Sequence, residues 1–124
     1  MSDFYKNNLR PLTKEQKHII NSFDFERNLD VVATVNNKLT IQVELNRKEK
    51  IFLHSQYRPE KEAQKYINNY DLNNIDNIIL IGFGFGYYAE EILLHLNDNQ
   101  KLSIVISSPD IFKLALKNKD FINL

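Results

Sequence analysis

All of this chain's glycines fall within one short turn, Gly82, Gly84 and Gly86, directly after the apolar run Ile78-Ile-Leu-Ile81. An amphipathic pattern follows at once, so the stretch reads as strand, tight turn and helix. Glycine permits the positive φ angles such a turn needs, and it lets another backbone or a phosphate approach closely. Elsewhere this arrangement opens a nucleotide-binding α/β unit. Here the match is partial. Gly82 and Gly84 fit a dinucleotide fingerprint whose third glycine would stand at Tyr87. Alternating glycines fit the methyltransferase form better, but its acidic residue, two positions before the first glycine, is Leu80.

Size and charge narrow the alternatives. A chain of 124 residues, 43% hydrophobic with 8 Phe and 6 Tyr, builds one domain with a true core. A formal net charge of +0 argues against an electrostatic surface for nucleic acid or membranes. With Cys 0, disulfides and thiolate metal sites are excluded. The histidines His18, His54 and His95 are scattered, without metal-ligand spacing. No apolar run approaches the roughly 20 residues of a membrane span, and the N-terminus lacks the apolar core of a signal peptide. These features place the chain in the cytoplasm.

Periodicity divides the chain into an N-terminal helical arm, 1–30, and a single α/β domain, 31–124. In the arm, Thr13-Lys-Glu-Gln16 has capping-box spacing and predicts a helix to about Ser22, with Phe23 and Phe25 as anchors. Residues 31–57 read as an antiparallel meander. Val31–Val35 meets the turn Asn36-Asn37. Leu39, Ile41, Val43 and Leu45 alternate with a wet face of Thr40, Gln42 and Glu44. The solvated turn Arg47-Lys48-Glu49-Lys50 leads to a third strand, Ile51–His54. Residues 58–124 read as a partial Rossmann-like βαβα unit. Pro59 starts a helix whose buried stripe is Ala63, Tyr66, Ile67 and Tyr70, and 71–77 is a loop. Then come a strand at 78–82, a helix at about 87–97 with a core stripe of Ala89, Ile92, Leu93 and Leu96, a mostly buried parallel strand at 102–106, and a helix at about 109–118 that Ser108 can cap.

Two clusters are candidate sites. Gly82, Gly84 and Gly86, with Ser108 and Asp110 at the corner after the second parallel strand, are placed to hold a cofactor, and Phe83, Phe85, Tyr87 and Tyr88 could stack on a base or plug the sheet top. Glu90 and Glu91 at the helix start would repel a phosphate. His54, Ser55, Tyr57 and Arg58 lie where a strand gives way to a helix. There His54 could act as a base and Arg58 could hold an anion, or His54 and Tyr57 could bond to backbone and stitch the two halves together.

Three segments together resemble one family. They are Phe52-Leu-His54-Ser55-Gln-Tyr57-Arg58-Pro-Glu-Lys-Glu-Ala63, Gly82-Phe-Gly84-Phe-Gly86-Tyr87, and Ser108-Pro-Asp110-Ile-Phe112 running into an apolar helix. They are similar to the N-terminal region of the bacterial motility accessory factor (Maf) glycosyltransferases, whose central domain is related to a 6-hydroxymethylpterin diphosphokinase-like domain. The resemblance covers roughly residues 25–124. The family's Glu before the Pro is Ser108 here. It implies transfer of a nonulosonic acid from a CMP-sugar to Ser or Thr of flagellin, with the donor held mainly by the central domain.

The expected function is therefore a noncatalytic domain that positions such a transferase or binds a partner, flagellin or the transferase's remainder. A nucleotide- or S-adenosylmethionine-binding methyltransferase-like fragment and a pure scaffold are the competing classes. Two parallel strands make a poor sheet alone, so a segment of a longer protein is expected, and its open edge predicts a homodimer in isolation.

Overall fold

The computed structural model describes residues 3–22, 29–44 and 49–121. The arm holds two helices, α1 (Asp3–Leu9) and α2 (Lys14–Ser22). The capping box opens α2 as its spacing predicts: Gln16 N–H donates to Thr13 Oγ1 at 3.1 Å, and Thr13 N–H donates to Gln16 Oε1 at 2.9 Å. Sequence periodicity gives no sign of α1, a short helix that depends on what it packs against. Phe23, Phe25, Leu45, Arg47 and Lys48 lie outside the described residues.

Strands β1 (Leu29–Ala33), β2 (Leu39–Glu44) and β3 (Lys50–Phe52) form the antiparallel meander in the order β1-β2-β3. Its first turn rests on Asn37, the one described non-glycine residue with positive φ, at 63°. Ile41 and Val43 turn into the core as alternation requires. Thr40, expected on the wet face, is fully buried instead. Its hydroxyl pairs with both backbone groups of His54, accepting from N–H at 3.0 Å and donating to the carbonyl at 3.1 Å. The third strand ends at Phe52, short of the expected His54.

Helix α3 (Pro59–Ile67) begins with Pro59 in its first turn and buries Pro59, Ala63 and Ile67. The predicted stripe is too wide: Tyr66 and Tyr70 are exposed and pack on each other, and Tyr66 also meets Tyr88. Strands β4 (Asn77–Ile81) and β5 (Lys101–Val105), joined through α4 (Tyr87–His95), are parallel neighbours in a separate two-stranded sheet. Helix α5 (Pro109–Asn118) follows. Ser108 occupies its N-cap, but the side chain makes no capping bond. In α4, Ala89 and Ile92 are buried, whereas Leu93 is largely exposed. No described helix is long and apolar enough to cross a membrane.

The expected burial of β5 is half right. Alternate residues of both parallel strands are half-buried and exposed. Leu80, Leu102 and Ile104 pack on the cluster that contains Ile41, Phe85, Ala89 of α4 and Ala115 of α5. Fully burying Phe85 or Ile41 is worth roughly 1.5–3 kcal/mol each. On the opposite face Ile81 pairs with Val105 and Ile79 with Ser103, and Ile79 and Ile81 are 66% and 74% exposed. Both neighbouring helices thus contribute to one core, and the other sheet face stands bare.

The arm docks on α5 through Tyr5, Ile20 and Leu116. Asn8 clamps the contact. Its side-chain amide donates to the carbonyls of Leu116 at 3.0 Å and Lys119 at 2.6 Å, and its Oδ1 accepts from Phe121 N–H at 2.8 Å. Asn8→Ala leaves three backbone groups at the α5 terminus without these partners. It is expected to lower the unfolding free energy by about 2–3 kcal/mol, read from urea denaturation with an unchanged slope. A loss below about 0.5 kcal/mol would mean that the clamp does not hold the arm.

Candidate functional site

The glycine turn links β4 to α4 with three left-handed residues: Gly82 at φ 89°, Gly84 at 57° and Gly86 at 84°. Gly82 N–H donates to the Val105 carbonyl at 2.8 Å, which fixes the turn to β5. Gly86 N–H donates to the Phe83 carbonyl at 2.9 Å. Phe85, fully buried at the turn's centre, donates its N–H to His54 Nε2 at 3.0 Å. One ring thus ties the meander's end to the turn.

That bond assigns the imidazole. Nε2 accepts, so the proton of the neutral ring sits on Nδ1. The side chain is buried, and its edge meets the Tyr87 ring at a centroid distance of 4.9 Å. Burial, and secondarily the nearby Lys119 ammonium, lowers the His54 pKa to about 4. The ring is therefore neutral at pH 7, and Glu62 Oε1, 4.0 Å from Nδ1, makes no ion pair with it. Nδ1 has no hydrogen-bond partner among the described residues. With the Nε2 lone pair held by a backbone amide, the ring is arranged as a strut rather than a base.

Tyr87 and Lys119, the second of which is not among the sequence-derived residues, complete the turn's surroundings. Tyr87, read as a stacking or plugging aromatic, uses its hydroxyl to hold both backbone groups of Leu39, donating to the carbonyl at 2.5 Å and accepting from N–H at 3.1 Å. Its burial raises the phenol pKa. Lys119 lies over the Tyr87 ring, 3.9 Å from the centroid, donates to the Phe85 carbonyl at 3.1 Å and pairs with Glu90 at 2.6 Å. Burial pulls the Lys119 pKa down, and Glu90 opposes that shift. Glu90, expected to repel a phosphate, instead neutralises this lysine. Nothing local in the sequence marks Lys119, which follows α5 and reaches the turn only in the folded chain.

The other sequence-derived residues disperse. Ser55 Oγ accepts from Tyr57 N–H at 3.1 Å and Arg58 N–H at 3.2 Å, and Ser55 N–H donates to Glu62 Oε1 at 3.2 Å. The serine thereby shapes the entry to α3, while Tyr57 and Arg58 are exposed. Asp110 is buried, and its Oδ1 accepts from Ile111 N–H at 2.9 Å. Ser108 lines, with Gly82, Gly84 and Ser107, a cavity of about 80 Å³ at the carboxyl ends of β4 and β5. This is where open α/β sheets hold ligands. Ligand pockets generally run to roughly 300 Å³ or more, so the cavity is too small for a nucleotide.

The space beside two glycines is already filled by the chain itself. A β-carbon on Gly84 would stand 2.6 Å from His54 Nε2, and one on Gly86 would stand 2.6 Å from Phe121 Cε1. At Gly82 the nearest atom is Ser107 Oγ at 3.6 Å. Among the described residues no group of three or more His, Cys, Asp or Glu side chains could hold a metal ion.

Two predictions follow from the packing. Gly82→Ala should cost about 1–2 kcal/mol for its left-handed backbone alone. Gly84→Ala should cost about 3 kcal/mol or more, since a clash with a pinned ring is added. Gly86→Ala should likewise cost more than Gly82→Ala, because its β-carbon would meet the Phe121 ring at 2.6 Å and the Phe83 ring at 2.9 Å. Urea midpoints test this order, and equal losses at Gly82 and Gly84 would contradict it. The second prediction uses pH. Above pH 6.5 His54 is neutral in both states. As pH falls from 6.5 to about 4 the unfolded chain takes up the proton while the folded chain does not, so stability drops. The full loss, reached below about pH 4, is on the order of 3 kcal/mol. His54→Gln keeps an acceptor but does not titrate, so its stability should fall less across that interval. Parallel wild-type and variant profiles would refute the assignment.

No protein-family model, no curated protein and no solved structure matches this chain.

Proposed function

We propose that this chain is a noncatalytic docking domain, the N-terminal domain of a motility-associated transferase of the type its three motifs resemble. In this reading the β4–β5 pair is the opening of a Rossmann-like unit. Its uncovered face is the surface on which the transferase's remainder sits, and the acceptor is flagellin. One observation carries the reading: Ile79 and Ile81 lie largely exposed on a parallel sheet whose other face is packed. Parallel sheets are stable almost only with both faces covered. The glycine turn supports a noncatalytic role, since His54 and Phe121 occupy the approach to Gly84 and Gly86. A CMP-sugar would then be held elsewhere in the transferase. The competing reading, a nucleotide- or S-adenosylmethionine-binding fragment, needs more room than the cavity beside Gly82 and Ser108 provides.

Two measurements test the proposal. Incubating the chain with a CMP-nonulosonate and flagellin should give no mass increase on the flagellin, and sugar transfer would overturn the noncatalytic reading. Light scattering over a dilution series should show the isolated chain pairing with a second copy through the bare face, and Ile81→Lys should restore the monomer mass. A strictly monomeric wild type at high concentration would remove the docking argument.

A further inference from the structure

A second feature lies on the packed side of the sheet and is independent of the docking face. Between the arm and the α/β half is a cleft of about 430 Å³. Leu12 and Ile20 of the arm form one wall, and Phe83, Phe112 and Phe121 form the other. Pro11, Gln16 and Ile19 line it too, and all three are exposed, so the cleft opens to solvent on the arm side. Protein interiors rarely leave voids larger than a water molecule. An engineered apolar cavity of roughly 150 Å³ already accepts benzene, and ligand pockets run from about 300 to 1,000 Å³. This cleft falls in the second range.

Its chemistry is selective. Among the described residues, no charged side chain lines it. The two described polar side chains that do are Asn8 and Gln16. Asn8 already serves three backbone groups, and Gln16 Oε1 holds the capping box of α2. An ionised ligand would lose its hydration without compensation. The aromatic wall is ordered: the Phe83 ring stands at 89° to Phe112 with centroids 5.2 Å apart, and at 64° to Phe121 at 5.1 Å. Rings set edge to face in this way extend naturally to a further ring. We propose that the cleft between the arm and α5 is a binding site for an uncharged aromatic molecule of two or three rings.

The test uses the full chain and N-phenyl-1-naphthylamine, a neutral three-ring dye that brightens on leaving water. Saturable binding of one dye per chain with a micromolar Kd is expected, with displacement by naphthalene. Leu12→Trp fills the cleft from the arm and should weaken binding at least tenfold. Ile19→Trp, at the exposed rim, gives a second filling variant should the first fail to fold. Lys61→Ala, on the exposed surface of α3, should leave the affinity unchanged. Absence of saturable binding would overturn the proposal. So would binding that survives both filling variants or is lost in Lys61→Ala, since the dye would then sit elsewhere.

Discussion

The fold depends on one buried hydrogen bond, from the Phe85 N–H to His54 Nε2, which crosses 31 residues of sequence. A single such bond contributes only about 1 kcal/mol net, but a buried amide left without a partner costs more. The bond therefore acts as a specification. It requires a bare Cα at Gly84, a neutral imidazole, and a fixed backbone at His54, which the buried Thr40 hydroxyl supplies. The left-handed turn at Gly84 and the unexpected burial of Thr40 both serve this contact, and the burial that the contact needs is also what lowers the histidine pKa.

Lys119 and Tyr87 reinforce it from the side. The ammonium caps the Phe85 carbonyl while the phenol pins Leu39, so the turn is held through both of its polar backbone ends and against the first residue of β2. A charged group at this depth is tolerated because Glu90 stands beside it. The resulting rigidity lies on the packed side of the parallel pair. The surface left to a partner is the opposite face, with its exposed isoleucines.

Much of this was legible in the sequence wherever the signal is local. The Thr13–Gln16 box, the prolines opening α3 and α5, the meander's alternation and the glycine turn are each set by a few adjacent residues. Side-chain destinations were less legible. Tyr66 and Tyr70 sit at helical spacing from Ala63, yet both are exposed: Tyr66 lies outward against Tyr88, and Tyr70 falls beyond the end of α3 at Ile67. Thr40 reads as wet because alternation cannot foresee His54 folding back over it. Helix α1 has too few turns to announce itself. The glycines were read correctly as a place of close approach, but a missing β-carbon does not say what approaches. Here the approaching groups at Gly84 and Gly86 are the chain's own rings, whereas the sequence equally allowed a phosphate.

The Asn8 clamp has a consequence for the order of assembly. Its partners Leu116 and Lys119 lie 108 and 111 residues downstream. A ribosome delivers the arm well before its berth, so α1 leaves the exit tunnel before α5 exists to hold it. So short a helix is unstable unaided, and closing a loop of this length is among the slower steps available to a small domain. The arm is thus synthesised well before it can settle. Until α5 emerges, the apolar groups Tyr5 and Ile20 remain open to whatever else the nascent chain meets.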